Sequence, residues 1–140
     1  MRQKIIWPVL SLALAAVCVV LLVLWQGEKN RAPEIDDLRL YGMEEAHARF
    51  SDYLRLGDEG DYWYGAAEFQ AMVNCARAEN LGGMTDANAA AGVLMFSPEL
   101  AQSRLGDVCA ILETCIAQPD NTAQWAVSMN ELRHLLEEGN

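Results

Sequence analysis

The stretch DYWYGAAEFQAMVNCA, residues 61–76, decides the fold class. Its apolar members Tyr62, Ala66, Phe69, Val73 and Ala76 recur at i, i+4, i+7, i+11 and i+14, a single stripe on a helix of 3.6 residues per turn. Asp61 stands where an N-terminal cap belongs, and Asn80-Leu81-Gly82-Gly83 ends the segment with glycine for a left-handed turn. On the N-terminal side, Gly57-Asp58-Glu59-Gly60 reads as a turn. Before it, Leu38, Tyr41, Ala46, Phe50, Tyr53 and Leu54 predict a helix over 38–56, broken by Gly42 near its start and closed by Gly57. On the C-terminal side, Thr85 and Asp86 are candidate caps for a short helix over 87–91, weakened by Gly92. Ser97-Pro98-Glu99 is a start signal, with a capping hydroxyl, proline at the first helical position and an acid in the positive first turn. It opens a helix carrying Leu100, Leu105, Val108, Ile111, Leu112, Cys115 and Ile116 as far as Pro119. A last helix starts at Asn121 or Thr122, with Trp125, Met129, Leu132 and Leu136 inward and Glu131, Arg133 and Glu137 toward water. No stretch alternates with period two over strand length. The expectation is an all-α chain, with about four helices in residues 38–138 packed as an antiparallel bundle or two helical hairpins.

Upstream lies a segment of another kind. Residues 5–25, IIWPVLSLALAAVCVVLLVLW, contain no charged side chain. At about 1.5 Å rise per residue they reach roughly 31 Å, the thickness of a hydrocarbon core. Trp7 and Trp25 flank them at interface depth, and Pro8 falls near the first turn, where a missing N–H costs little. Arg2 and Lys4 before the run, with Ala13-Leu14-Ala15 inside it, also suggest a cleaved signal peptide. Length argues against that, because the apolar run continues well past those alanines. A lipoprotein reading at Cys18 fails on Val17 before it and the apolar residues after it. The expected order is a short basic N-terminus (1–4), a transmembrane anchor (5–25), a juxtamembrane linker (26–37) and the helical domain (38–138). Arg2, Lys4 and the α-amine favour a cytoplasmic N-terminus and an extracytoplasmic domain at the cell membrane.

The chain has 140 residues with 20 acidic and 10 basic side chains, a net charge of −10. Such a surface does not neutralise a phosphate backbone, so nucleic acid is excluded as a partner. Residues 26–140 carry 20 acids against 8 bases, a net of −12, which keeps that part off anionic headgroups. Chemistry is sparse. His47 and His134 lie on the first and last predicted helices with no metal-ligand spacing, so both read as surface residues. The five serines form no Gly-x-Ser-x-Gly elbow, and Gly82-Gly83 lacks the context of a phosphate loop. Asp58-Glu59-Gly60-Asp61 lacks the alternating acids and distal glutamate of a calcium loop and reads as a solvated turn. No cofactor, metal or catalytic constellation is expected, and the chain reads as a non-enzyme.

Two groups of residues remain as candidates. Cys109 and Cys115 are about 9 Å apart along one helix and about 240° around it, too far to bond to each other. Cys75 could pair with either on an oxidising side of the membrane. The other reading, favoured by the odd thiol count, makes Cys75, Cys109 and Cys115 small buried apolar residues. The aromatic run Tyr62-Trp63-Tyr64, with Phe69, is the densest in the chain. Core packing is the first expectation for all of it. If the bundle is thin, Trp63 and Tyr64 rotate outward and form an interaction patch. Gly60-Asp61-Tyr62 with Phe69 also resembles part of a tetratricopeptide unit, but Gly65 stands where that motif has alanine and a single unit cannot stack.

Gly60-Asp61-Tyr62-Trp63 leading into Ala66-Ala67-Glu68, then Phe96-Ser97-Pro98-Glu99-Leu100, Leu105, Leu112 and the closing run from Asn130 to Glu138, carry a resemblance. The chain is similar to a family of uncharacterised single-pass proteins of Gram-positive, often spore-forming bacteria, in which an N-terminal anchor precedes a small helical domain. It departs from that family in carrying more cysteine and glycine and less lysine and glutamate. The resemblance implies a bacterial, membrane-tethered domain and no catalytic residue. The leading expectation is a non-enzymatic protein-interaction or scaffolding module at the cell envelope. The alternative is a sensor-like bundle that binds a small ligand between its helices.

Overall fold

In the computed structural model the chain is described for residues 3–138, with side chains described for 17–23 and 36–138. Among the described residues every regular element is an α-helix: α1 (Gln3–Leu56), α2 (Glu59–Ala78), α3 (Met84–Phe96), α4 (Pro98–Ser103), α5 (Leu105–Ala117) and α6 (Thr122–Glu137). The all-α expectation holds. The count does not, because the predicted 97–119 helix is two helices and the weak 84–96 segment is a full one.

The chain divides into two compact units, Met1–Glu34 and Ile35–Asn140, and the division falls beside Pro33 within α1. The first unit is helical from Gln3, and its described side chains, Val17 to Val23, are all exposed. Most of the anchor predicted over 5–25 lies outside the described side chains. Among the described residues no helix is long and apolar enough to cross a membrane. Residues 26–37, expected as a linker, are helical. Periodicity marks burial rather than helicity, and Glu, Lys, Arg and Ala are good helix formers without any packing.

In the second unit the core is one cluster, with Met43, Ala46 and Phe50 from α1, Tyr62, Phe69, Met72 and Val73 from α2, Leu94 from α3, Leu105 and Leu112 from α5, and Met129, Leu132 and Leu136 from α6. The inward face of α1 is the predicted one only in part: Ala46 and Phe50 are buried as expected, while Leu54 is exposed. Leu38 and Tyr41 are each 57 % exposed, whereas Arg39, Gly42, Met43 and Ala46 are buried. Gly42 does not break the helix. It and Gly65 pack against the facing helix, where a Cβ at Gly42 would sit 3.1 Å from Met72 Cβ and one at Gly65 2.7 Å from Phe50 Cδ1.

Helix α3 packs between α2 and α6 and buries Ala87, Ala90, Ala91 and Leu94, small residues that let its neighbours come near. Its start corrects another expectation, since Gly83 (φ 75°, ψ 14°) precedes Met84 and neither Thr85 nor Asp86 caps it. Asn80 (φ 57°), not glycine, makes the left-handed turn after α2, with Leu81 N–H bonding Ala76 O at 3.1 Å and Asn80 N–H bonding Arg77 O at 3.1 Å. Gly83 is required both by its own left-handed φ of 75° and by proximity, because a Cβ there would lie 3.0 Å from Ala126 Cα.

Two caps are also reassigned. Asp58, three residues before Asp61, caps α2 by accepting from Gly60 N–H at 2.8 Å. Ser97 ends α3 and starts α4 through its backbone, with no side-chain cap bond. The α4–α5 break at Arg104 follows Ser103, whose hydroxyl bonds the Leu100 carbonyl at 2.7 Å and competes with the helix ladder. Helix α6 starts at Thr122, one of the two expected positions, and Asn121 caps it by accepting from Gln124 N–H at 3.0 Å.

Candidate functional site

Tyr62 anchors the aromatic run from below. Its ring is fully buried against Phe50 (6.0 Å between centroids) and Tyr53 (5.5 Å), and its hydroxyl donates to Leu94 O at 2.7 Å. Burial, followed by the nearby Tyr53 and Glu59, pushes its phenol up to about 12. The next two side chains emerge on the outer side of α2. Trp63 is 43 % exposed and stacks edge-on against Tyr62 at 5.3 Å. Tyr64 is 50 % exposed with the Arg49 guanidinium 4.8 Å from its ring centre. Core packing, the first expectation for these two rings, is therefore overturned. Tyr62, Ala66 and Phe69 fill the inward arc of α2, and successive residues turn by about 100°, which carries positions 63 and 64 out of it.

Arg49 is fixed in turn. Its Nε bonds Glu45 at 2.9 Å and its Nη1 bonds Asp61 at 3.3 Å, so the cation over Tyr64 is held by one carboxylate from each of two helices. Asp61, predicted as a cap, has this role instead. Tyr64 thus stands beside a braced cation and Trp63 against a buried ring.

The thiols are apart from this face. Cys75, Cys109 and Cys115 are free; Cys109 and Cys115 are buried, while Cys75 is partly exposed. Burial pushes all three thiols above their ordinary value, which disfavours the reactive thiolate. Cys109 faces Ser51 on α1, with oxygen and sulfur 3.9 Å apart. One turn along the same pair of helices, His47 Nε2 meets Glu113 Oε1 at 3.1 Å. His134 is exposed and lies 3.3 Å from Arg133 Nη2, so the two histidines are not brought together. Among the described residues no three His, Cys, Asp or Glu side chains stand where they could hold a metal ion.

One group escaped the sequence reading. Arg39 is 3 % exposed, its Nε shared by the Glu79 oxygens at 2.9 and 3.1 Å and its Nη2 donating to Pro119 O at 3.0 Å. Asp36 lies 3.8 Å away, and the guanidinium is 5.7 Å from the Trp125 ring centre. Desolvation, then the Asp36 carboxyl, raises the Glu79 pKa against the pull of Arg39. An isolated arginine in a helix pattern reads as solvated, so only the misfit of Leu38 and Tyr41 with an inward face could have pointed to it.

Arg133, expected in water, is half-withdrawn instead. Its Nε lies 3.2 Å from Asp86 Oδ1 in ion-pair contact, off line for a hydrogen bond. Comparison of the chain with protein-family models, with curated proteins and with solved structures finds no match.

Proposed function

We propose that the chain is a single-pass, membrane-anchored helical domain that binds another protein at the cell envelope and performs no catalysis itself. The observation that carries this reading is the pair Trp63 and Tyr64, half-exposed on α2 over a buried tyrosine and a braced arginine. Large aromatic side chains held rigidly in water cost hydration without stabilising the fold. They recover that cost when a partner covers them, which is why such residues dominate binding hot spots.

The anchor rests on separate support. Residues 17–23 are seven consecutive apolar or cysteine side chains, all exposed, and they wrap about two turns of helix. A helix apolar on every side needs an apolar surrounding, and in the full run of 21 uncharged residues a bilayer supplies it. Arg2 and Lys4 hold the N-terminus inside, which places the acidic domain outside.

The test is site-specific photocrosslinking from positions 63 and 64 of the membrane-embedded full chain in its host cells, with the double variant Trp63→Ala/Tyr64→Ala as comparison. A discrete crosslinked protein is expected, and the double variant should lose that complex while its helix content stays unchanged. A complex that survives the double variant at full yield would sink the assignment of this face.

A further inference from the structure

Five of the second unit's exposed large apolar side chains, Leu54, Leu56, Trp63, Tyr64 and Phe96, belong to one end of it, while Leu38, Tyr41 and Val127 lie elsewhere. Helix α1 ends there at Leu56, α2 starts at Glu59, α3 ends at Phe96 and α4 starts at Pro98. Two bonds tie these termini together: Tyr62 hydroxyl to Leu94 O at 2.7 Å, and the Gln102 amide to Glu59 Oε2 at 3.2 Å. At this end Phe96 is 86 % exposed and Leu56 66 %, joining Leu54, Trp63 and Tyr64, all near half-exposed. The charge around them has one sign. Asp58, Glu59 and Glu99 are exposed and, among the described residues, form no ion pair. Two nearby cations are already committed, Arg49 to Glu45 and Asp61, and Arg55 to Asp52. Across Ile35–Asn140 there are 18 acids against 6 arginines and no lysine.

We infer that this end, with Leu56, Trp63 and Phe96 as its apolar floor and Asp58, Glu59 and Glu99 as its rim, docks a cationic Lys/Arg-bearing segment of the partner protein. The inference deepens the proposed function and rests on it. Apolar stems of lysine or arginine cover the floor while their heads reach the carboxylates, and the Trp63 face takes a cation as the Tyr64 face already takes Arg49. An acidic segment would meet the unpaired carboxylates of Asp58, Glu59 and Glu99, with Arg49 and Arg55 already paired, so the charge arrangement selects against it as well as for a basic one.

Two measurements decide it. First, a photocrosslinking residue replaces Phe96 in the membrane-embedded full chain, beside the position 63 and 64 sites, and the captured segment is sequenced at the crosslink. A segment with net positive charge is expected from position 96. Capture from 63 or 64 with silence at 96, or capture of a neutral or acidic segment, overturns this inference and leaves the interaction reading standing. Silence at all three positions overturns both. Second, a synthetic peptide of the captured segment is titrated onto the full chain carrying Glu59→Gln/Glu99→Gln or, as a control of equal charge, Glu131→Gln/Glu138→Gln. Affinity should fall about tenfold in the first variant and stay within about twofold in the second. Equal losses in both would show attraction to net charge alone and overturn the site.

Discussion

Arg39 and Glu79 are buried partners, so removing one leaves the other as an uncompensated charge in the interior. Arg39→Ala should cost about 3–5 kcal/mol in denaturant unfolding, while Arg39→Met/Glu79→Leu should recover most of that loss. The same pair sets a pH dependence. The folded Glu79 pKa is raised, so between that value and its ordinary one the native state holds a proton that the unfolded state lacks. Stability from this group therefore rises as pH falls from the raised folded value toward the ordinary one, opposite in sign to a carboxylate stabilised in its charged form. Melting temperature should climb over that range in the native chain, and Glu79→Gln should flatten the climb. Tyr62 offers a cleaner deletion. Tyr62→Phe strands the buried Leu94 carbonyl and should cost about 1–3 kcal/mol, read by the same unfolding assay.

At the scale of elements, the contact between α1 and α2 is set by what Gly65 omits. Phe50 is fully buried and cannot retreat from an added methyl, so Gly65→Ala should destabilise by about 1–3 kcal/mol despite its better helix propensity. A thermal melt that rises instead would show that Phe50 has room to turn. Helices α2 and α6 were legible in the sequence because each buries a regular apolar stripe, Tyr62 to Ala76 and Trp125 to Leu136, interrupted in α6 only by the small Ser128. The face of α1 was legible at Ala46 and Phe50 but not at its start, since the apolar Leu38 and Tyr41 point outward and the charged Arg39 points inward, and periodicity reads residue type rather than direction. The split at Arg104 was hidden for a related reason: Ser103 alters the backbone without altering the spacing of the leucines around it. Of the candidate site, the aromatic run could be read directly. Its outward turn depended on how thick the bundle is, and Phe96 gave no signal because a lone aromatic at a helix end looks like core.

For the molecule as a whole, the excess of 12 negative charges on Ile35–Asn140 is a source of self-repulsion, with 18 acids spread over a small surface. Raising salt from about 0.05 to about 0.5 M shortens the screening length from roughly 14 to 4 Å and should raise the melting temperature by a few degrees. A fall would mean that ion pairs such as Arg49–Asp61 outweigh the repulsion. The thiols should be slow toward a disulfide reagent at neutral pH, with Cys75 reacting ahead of Cys109 and Cys115, because burial holds all three as thiols and only Cys75 is partly open. The Arg39 knot also has a mechanical meaning. It lies four residues after Ile35, where the second unit begins, and grips the end of α2, the turn after α5 and the start of α6 at once. Tension entering the unit from its N-terminal end is met there by three strands of chain loaded in parallel. The domain should resist such a pull up to a threshold and then yield abruptly, rather than peel away one helical turn after another.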